Sequence, residues 1–163
     1  MIFDIQTLTF VHVVISLLGI GSGFVVMFGL LKGKRLDGWT ALFLATTVAT
    51  SVTGFFFPFK QFTPAHGVGV VSLVALTAAI LARYGRRLVG HWRWVYVVSA
   101  VLALYLNVFV GVVQAFQKIT ALKALAPTQS ELPFLLAQFV ALALFVALGI
   151  ISTIRFRVAP SQP

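Results

Sequence analysis

The sequence predicts an all-α fold, a polytopic membrane bundle of five transmembrane helices with the N-terminus outside and the C-terminus inside. Three observations predict it. Five apolar stretches fill most of the 163-residue chain, each near the about 20 residues that carry a helix across a hydrocarbon core of roughly 30 Å. Hydrophobic residues make up 60% of the composition and charged residues 9%, with mean hydropathy +1.06, which leaves too little polar surface to clothe a soluble domain. Lysine and arginine between the stretches fall on alternate sides, as they do in multi-pass proteins. Little chain remains outside the stretches, so residues 1–163 are expected to form a single integral membrane domain.

The first span is expected over Leu8 to Leu31. Residues 1–10 contain no Lys or Arg, carry Asp4 and run into an apolar segment longer than a secretory signal core, without a clear small-residue cleavage site, so the span is expected to be retained. His12, Ser16, Gly19 and Gly23 follow helical offsets and share one face. Gly19 and Gly23 form a GxxxG pair, whose ordinary meaning is close helix packing. The sharper alternative is a flat cofactor ring, a haem or a quinone, lying against the glycine face.

The second span is expected over Trp39 to Phe59. It carries Thr46, Thr50, Thr53 and Gly54 along a common face and closes in a run of phenylalanines, Phe55 to Phe57 and Phe59, with Pro58 ending or bending the helix. Membrane threonines commonly bond their own preceding carbonyls, so this face alone says little. The third span, His66 to Tyr84, opens on a histidine. The fourth, Trp94 to Phe116, holds the best polar stripe of the chain: Ser99, Ala103, Asn107, Gly111 and Gln114 lie within about a third of the helical circumference. Amides facing lipid would lack partners, so this stripe is expected to face the bundle interior.

Between the fourth and fifth spans, Ile119, Leu122 and Leu125 recur at helical spacing beside Lys118 and Lys123, predicting a short surface helix. Ser130 is expected to cap the last helix, with Pro133 in its first turn. The fifth span, Pro133 to Phe156, carries Gln138, Ala141, Gly149 and Ser152 on one face.

A formal net charge of +9 raises the question of nucleic acid, but placing the charges on the topology answers it. Lys32, Lys34, Arg35, Arg83, Arg86, Arg87, Arg93, Arg155 and Arg157 fall on one side, leaving Lys60, Lys118 and Lys123 on the other. Cytoplasmic loops are the Lys/Arg-rich ones, so the first side is read as inner and as facing anionic headgroups. No aromatic-interleaved basic groove accompanies the charge, and no nucleic-acid role is expected.

The same topology gathers polar groups in the outer leaflet. His12 and His66 come to similar depth from different helices, with Gln114 and Gln138 near the outer ends of theirs; His91 falls on the inner side as an interfacial residue. Two imidazoles at one depth are the minimum for axial ligation of a haem iron, which makes His12 and His66 the candidate metal ligands. His12, His66, Gln114, Gln138, Gly19 and Gly23 form the candidate cofactor set, for haem b or a quinone. There is no cysteine, hence no CxxCH attachment motif, disulfide, iron–sulfur cluster or thiolate nucleophile. The only acids, Asp4, Asp37 and Glu131, lie in loops or at helix ends, which disfavours proton-coupled transport and a zinc or di-metal centre. No GxSxG elbow supports hydrolysis, and the glycines from Gly19 to Gly23 follow no strand, so they are not a dinucleotide fingerprint.

From Ser51 to Phe59 (SVTGFFFPF) and from Leu125 to Glu131 (LAPTQSE) the chain resembles a family of small bacterial multi-pass integral membrane proteins without an established activity, and the resemblance extends over nearly its whole length. It implies a bacterial inner membrane and brings no ligand residues. The leading expectation is a non-catalytic accessory or scaffold subunit whose small-residue stripes pack against a membrane-protein partner or a second copy. The alternative is a haem- or quinone-binding redox protein using His12 and His66. A passive channel or small-solute carrier is third.

Overall fold

With so few polar side chains available, the backbone must satisfy its own hydrogen bonds, and it does so as helix. The computed structural model describes residues 4–57 and 64–157. Helix α1 spans Ile5–Leu31, α2 Asp37–Gly54, α3 Pro64–Ile80, α4 Trp92–Lys118, α5 Thr120–Leu125 and α6 Leu132–Arg155. A π-helical turn, Leu81–Gly85, prolongs α3, with the Arg86 amide bonding back to the Leu81 carbonyl at 2.8 Å. No strand occurs among the described residues.

Among the described residues, four helical segments are long and apolar enough to cross a membrane: Ile5–Leu31, Pro64–Gly85, Trp92–Lys118 and Leu132–Arg155. The second expected span is shorter than the sequence suggests. Helix α2 has 18 residues and ends at Gly54, where the Phe55 and Phe56 amides turn to the Val52 and Thr53 carbonyls, both at 3.1 Å, and tighten the last turn. Phe55 to Phe57 follow as a turn, while Pro58 and Phe59 lie outside the described residues. The expected surface helix at Ile119 to Leu125 is α5.

The long helices run up and down. His12 faces Thr53 and Gly23 faces Phe43, which sets α1 antiparallel to α2. Ser51 bonds Ser72, Arg83 lies over Tyr96, and Tyr105 and Phe145 meet ring to ring, extending the alternation through α3, α4 and α6. A buried core of Val26, Met27, Leu30, Phe43, Leu76, Tyr96, Val97 and Leu104 occupies the half of the bundle where α1 ends. Helix α6 packs on α4 and α1 and leaves Leu135, Leu136, Phe139, Val140, Val146, Ile150 and Ile154 exposed. So continuous an apolar face is the signature of a lipid or protein contact rather than of water.

The turn into α6 corrects one local expectation. The N-cap is Glu131 rather than Ser130, and no side chain caps the helix. Instead the Glu131 carboxylate reaches back: Oε1 accepts from the Thr128 amide at 3.1 Å and from Thr128 Oγ1 at 2.8 Å, and Oε2 accepts from the Ser130 amide at 3.1 Å. A charged acceptor draws these donors more strongly than a hydroxyl would, so Glu131 organises the turn. Gln129, at φ 60, bonds the Val113 carbonyl at 2.9 Å and pins the turn to α4.

What little burial Glu131 has works to raise its pKa, but the Thr128 and Ser130 hydrogen bonds outweigh it and hold the carboxyl below its usual value. A depressed carboxylate pKa contributes stability above the unfolded value, and that contribution is lost as pH falls through the folded value. Acidification from about pH 5 downward is therefore expected to loosen this turn. Protection of the Thr128 and Ser130 amides, measured against the intrinsic exchange rate at each pH, should fall in that window, and a Glu131→Gln variant should show the low protection both above and below it.

Candidate functional site

The polar stripes of α1 and α2 face one another. His12 Nδ1 lies 2.8 Å from Thr53 Oγ1, and the Ser16 hydroxyl donates to Thr50 Oγ1 at 3.4 Å. A methyl added at Gly19 would stand 3.1 Å from Thr47 Oγ1 and 3.3 Å from Thr46 Oγ1. One turn further, a methyl at Gly23 would stand 2.5 Å from Leu104 Cδ1 and 2.9 Å from Phe43 Cε2. Antiparallel register and helical spacing thus turn two stripes into one seam, closed at its deep end by Leu104 and Phe43.

The seam determines the tautomer of His12. Thr53 has a single hydroxyl proton, and its Oγ1 donates to the Ala49 carbonyl at 2.7 Å. Toward His12 it presents only lone pairs, so His12 Nδ1 carries the ring proton and donates it. Nε2 keeps its lone pair. Phe57 packs edge-on against the imidazole, with ring centroids 5.2 Å apart.

Helices α3 and α4 add two further walls and leave the space partly open. Ser51 Oγ donates to Ser72 Oγ at 3.1 Å, and Phe55 packs on α3 between Gly69 and His66, its ring centroid 5.8 Å from that of His66. Between α1, α2, α3 and α4 lies a chamber of about 1000 Å³. Its walls are mostly apolar, from residues such as Val13, Leu17, Ile20, Val68, Leu106 and Val110, and its polar groups include His12, Ser16, Thr47, Thr50, Asn107, Gln114 and His66. Thr9, Ala65, Lys118 and Ile119 border the end where α1 begins and α4 finishes.

Of the sequence-derived site residues, His12, His66 and Gln114 line this chamber. Gly19 and Gly23 do not line it: Gly19 is covered by Asn107, Thr47 and Thr46, and Gly23 by Leu104 and Phe43, so both let helices approach. Gln138 lies elsewhere, its Nε2 donating to the Phe109 carbonyl at 3.2 Å and tying α6 to α4. No group of three or more His, Cys, Asp or Glu that could hold a metal ion occurs among the described residues. The histidines that line the chamber are His12 and His66.

Two chamber residues were not among that candidate set. Asn107 Nδ2 and Thr47 Oγ1 are buried at the floor and have no hydrogen-bond partner among the described residues. Asn107 stood in the stripe of the fourth span, but nothing local marks it off from Ser99 or Gly111. Thr47 enters only through the antiparallel register that sets it opposite Gly19.

The opposite end of the bundle is basic and latched. Arg83 lies within the π-helical turn with its side chain buried, pairs with Asp37 and lies over Tyr96 at 5.1 Å; Arg35 joins Asp37 at 3.6 Å. Arg93 donates to the Phe156 carbonyl, and His91 is exposed, 5.2 Å from the Trp92 ring. No protein-family model matches the chain, and neither a curated protein nor a solved structure matches it.

Proposed function

We propose that this chain is a five-span protein of a bacterial inner membrane, N-terminus outside and C-terminus inside, whose chamber lies in the outer leaflet and binds an amphipathic ring ligand, a quinone or haem b. Nine basic residues grouped at the inner end support the orientation. Helix α2 would cross within the bundle: 18 residues extend ~27 Å, Thr50 and Thr53 bond α1, and Thr40 bonds Tyr96 of α4. The observation that carries the reading is the chamber itself, about 1000 Å³ with apolar walls and a few convergent polar groups. Ligand sites of roughly 300–1,000 Å³ share that character.

Native protein extracted in mild detergent should carry a ring ligand visible by mass spectrometry or as a Soret band, lost in His12→Ala and kept in His91→Ala. A ligand-free, colourless preparation would overturn the reading. A second reading, an accessory subunit packed against partner helices, is favoured by the bare face of α6. Between α4 and α6 runs an apolar groove of about 580 Å³ that includes Trp94, Tyr105 and Gly149. A stoichiometric membrane partner would then co-purify, and a monodisperse monomer counts against it.

A further inference from the structure

We infer that the ring held in the chamber is a hydroquinone, bridged between His12 and Asn107, and that the site prefers the reduced quinol to the oxidised quinone. The inference rests on the reading of the chamber as a ligand site and concerns binding alone.

Its first support is the direction of the His12 hydrogen bond. With the Thr53 proton committed to Ala49, His12 donates from Nδ1, which leaves Nε2 as the acceptor of an imidazole that lines a mostly apolar chamber. Such an acceptor is satisfied by an O–H donor. The second support is independent. Asn107, 8% exposed, lines the chamber floor, and its amide nitrogen is buried against Gly19 with no partner among the described residues. An amide N–H is a donor and asks for an oxygen, and the terminal torsion of Asn is soft enough to turn it toward one. Thr47, beside the same Gly19, adds a second buried hydroxyl without a partner among those residues.

Spacing joins the two. Asn107 Nδ2 lies at the level of Gly19, 3.0 Å from where its methyl would be. Gly19 is seven residues along α1 from His12, ~10 Å at 1.5 Å per residue. That is the reach of a six-membered ring with oxygens on opposite carbons and one hydrogen bond beyond each. Leu17, Ile20 and Val110 offer apolar surface to the ring.

Oxidation state then decides affinity. A quinol donates one hydroxyl proton to Nε2, while its other hydroxyl accepts from Asn107 and gives its own proton to Thr47 Oγ1, which has no partner among the described residues. A quinone carries no proton, so its oxygen would set a lone pair against the Nε2 lone pair, leaving a buried acceptor unpaired.

The test is a pair of anaerobic titrations of the full chain in detergent, with decylubiquinol and with decylubiquinone. The quinol is expected to bind at least roughly tenfold more tightly, the scale of one unpaired buried acceptor. Thr53→Val, which frees Nδ1 from its partner, should shrink that ratio. In ¹⁵N-histidine spectra, Nε2 of His12 should be unprotonated and shift on adding quinol, a readout that a merely structural Thr53 would not move. Equal affinity, or tighter quinone, in the unsubstituted protein overturns the inference whatever the variant does. If native material carries a different His12-dependent ligand and the quinol does not bind, this inference fails and the chamber reading stands. If no ligand is present and none binds, both fail.

Discussion

Replacing Gly23 with valine is expected to destabilise the bundle by about 2 kcal/mol, the scale of inserting methyl groups into a filled core. The first added carbon would already stand 2.5 Å from Leu104 Cδ1 and 2.9 Å from Phe43 Cε2. Both neighbours are buried, Phe43 at 1% exposure, so neither can swing out to solvent and the helices must part instead. Gly21 supplies the control. A methyl there meets nothing within 4 Å, so Gly21→Ala is expected to be neutral or to gain up to about 1 kcal/mol from helix propensity. Thermal unfolding of the two variants in one detergent checks the contrast, and equal shifts would show that Gly23 is not a close-approach position. Because Gly23 lies below the chamber floor, ligand affinity should fall only as far as the fold does.

Asp37→Asn is expected to cost about 2 kcal/mol. The Arg83 side chain is 1% exposed and that of Asp37 73%, so the pair is asymmetric: removing the carboxylate strands a charge that water cannot reach. Breaking a fully buried pair costs about 3–5 kcal/mol, and the figure is discounted here because Asp37 is open to solvent. Arg83 Nε has no partner among the described residues, which leaves Asp37 and the Tyr96 and Tyr84 rings to balance the guanidinium. Arg83→Met removes the charge with its pairing and fills similar space, so it should cost less than Asp37→Asn. A double-mutant cycle by thermal unfolding measures both, and an Asp37→Asn variant as stable as the parent would remove the latch from the account.

The stretches Ser51 to Phe57 and Leu125 to Glu131 have separate physical roles. Ser51 to Phe57 places Thr53 on His12, Ser51 on Ser72 and Phe55 against His66, so it builds a chamber wall. The Leu125 to Glu131 stretch builds a turn, held by Glu131 and Gln129. Neither role is visible in composition, since one depends on α1 and α3 and the other on α4.

Helix positions were legible in the sequence, because a run of apolar side chains is a local property and the backbone within it has no partner but itself. Thus α1, α3, α4 and α6 lie where the apolar stretches lie, and the polar faces of α1 and α4 follow from the helical period alone. The end of α2 was misplaced because hydropathy runs on through the phenylalanines, whereas the turn at Gly54 is a backbone event. Which faces meet was decided by tertiary structure. Gln114 and Gln138 look alike in sequence, yet α4 turns Gln114 into the chamber while α6, on its other flank, spends Gln138 on the Phe109 carbonyl. Likewise the proton on His12 is set by a threonine 41 residues away, whose own proton belongs to Ala49. Side-chain pairing across helices depends on register and neighbourhood, and those exist only once the helices have packed.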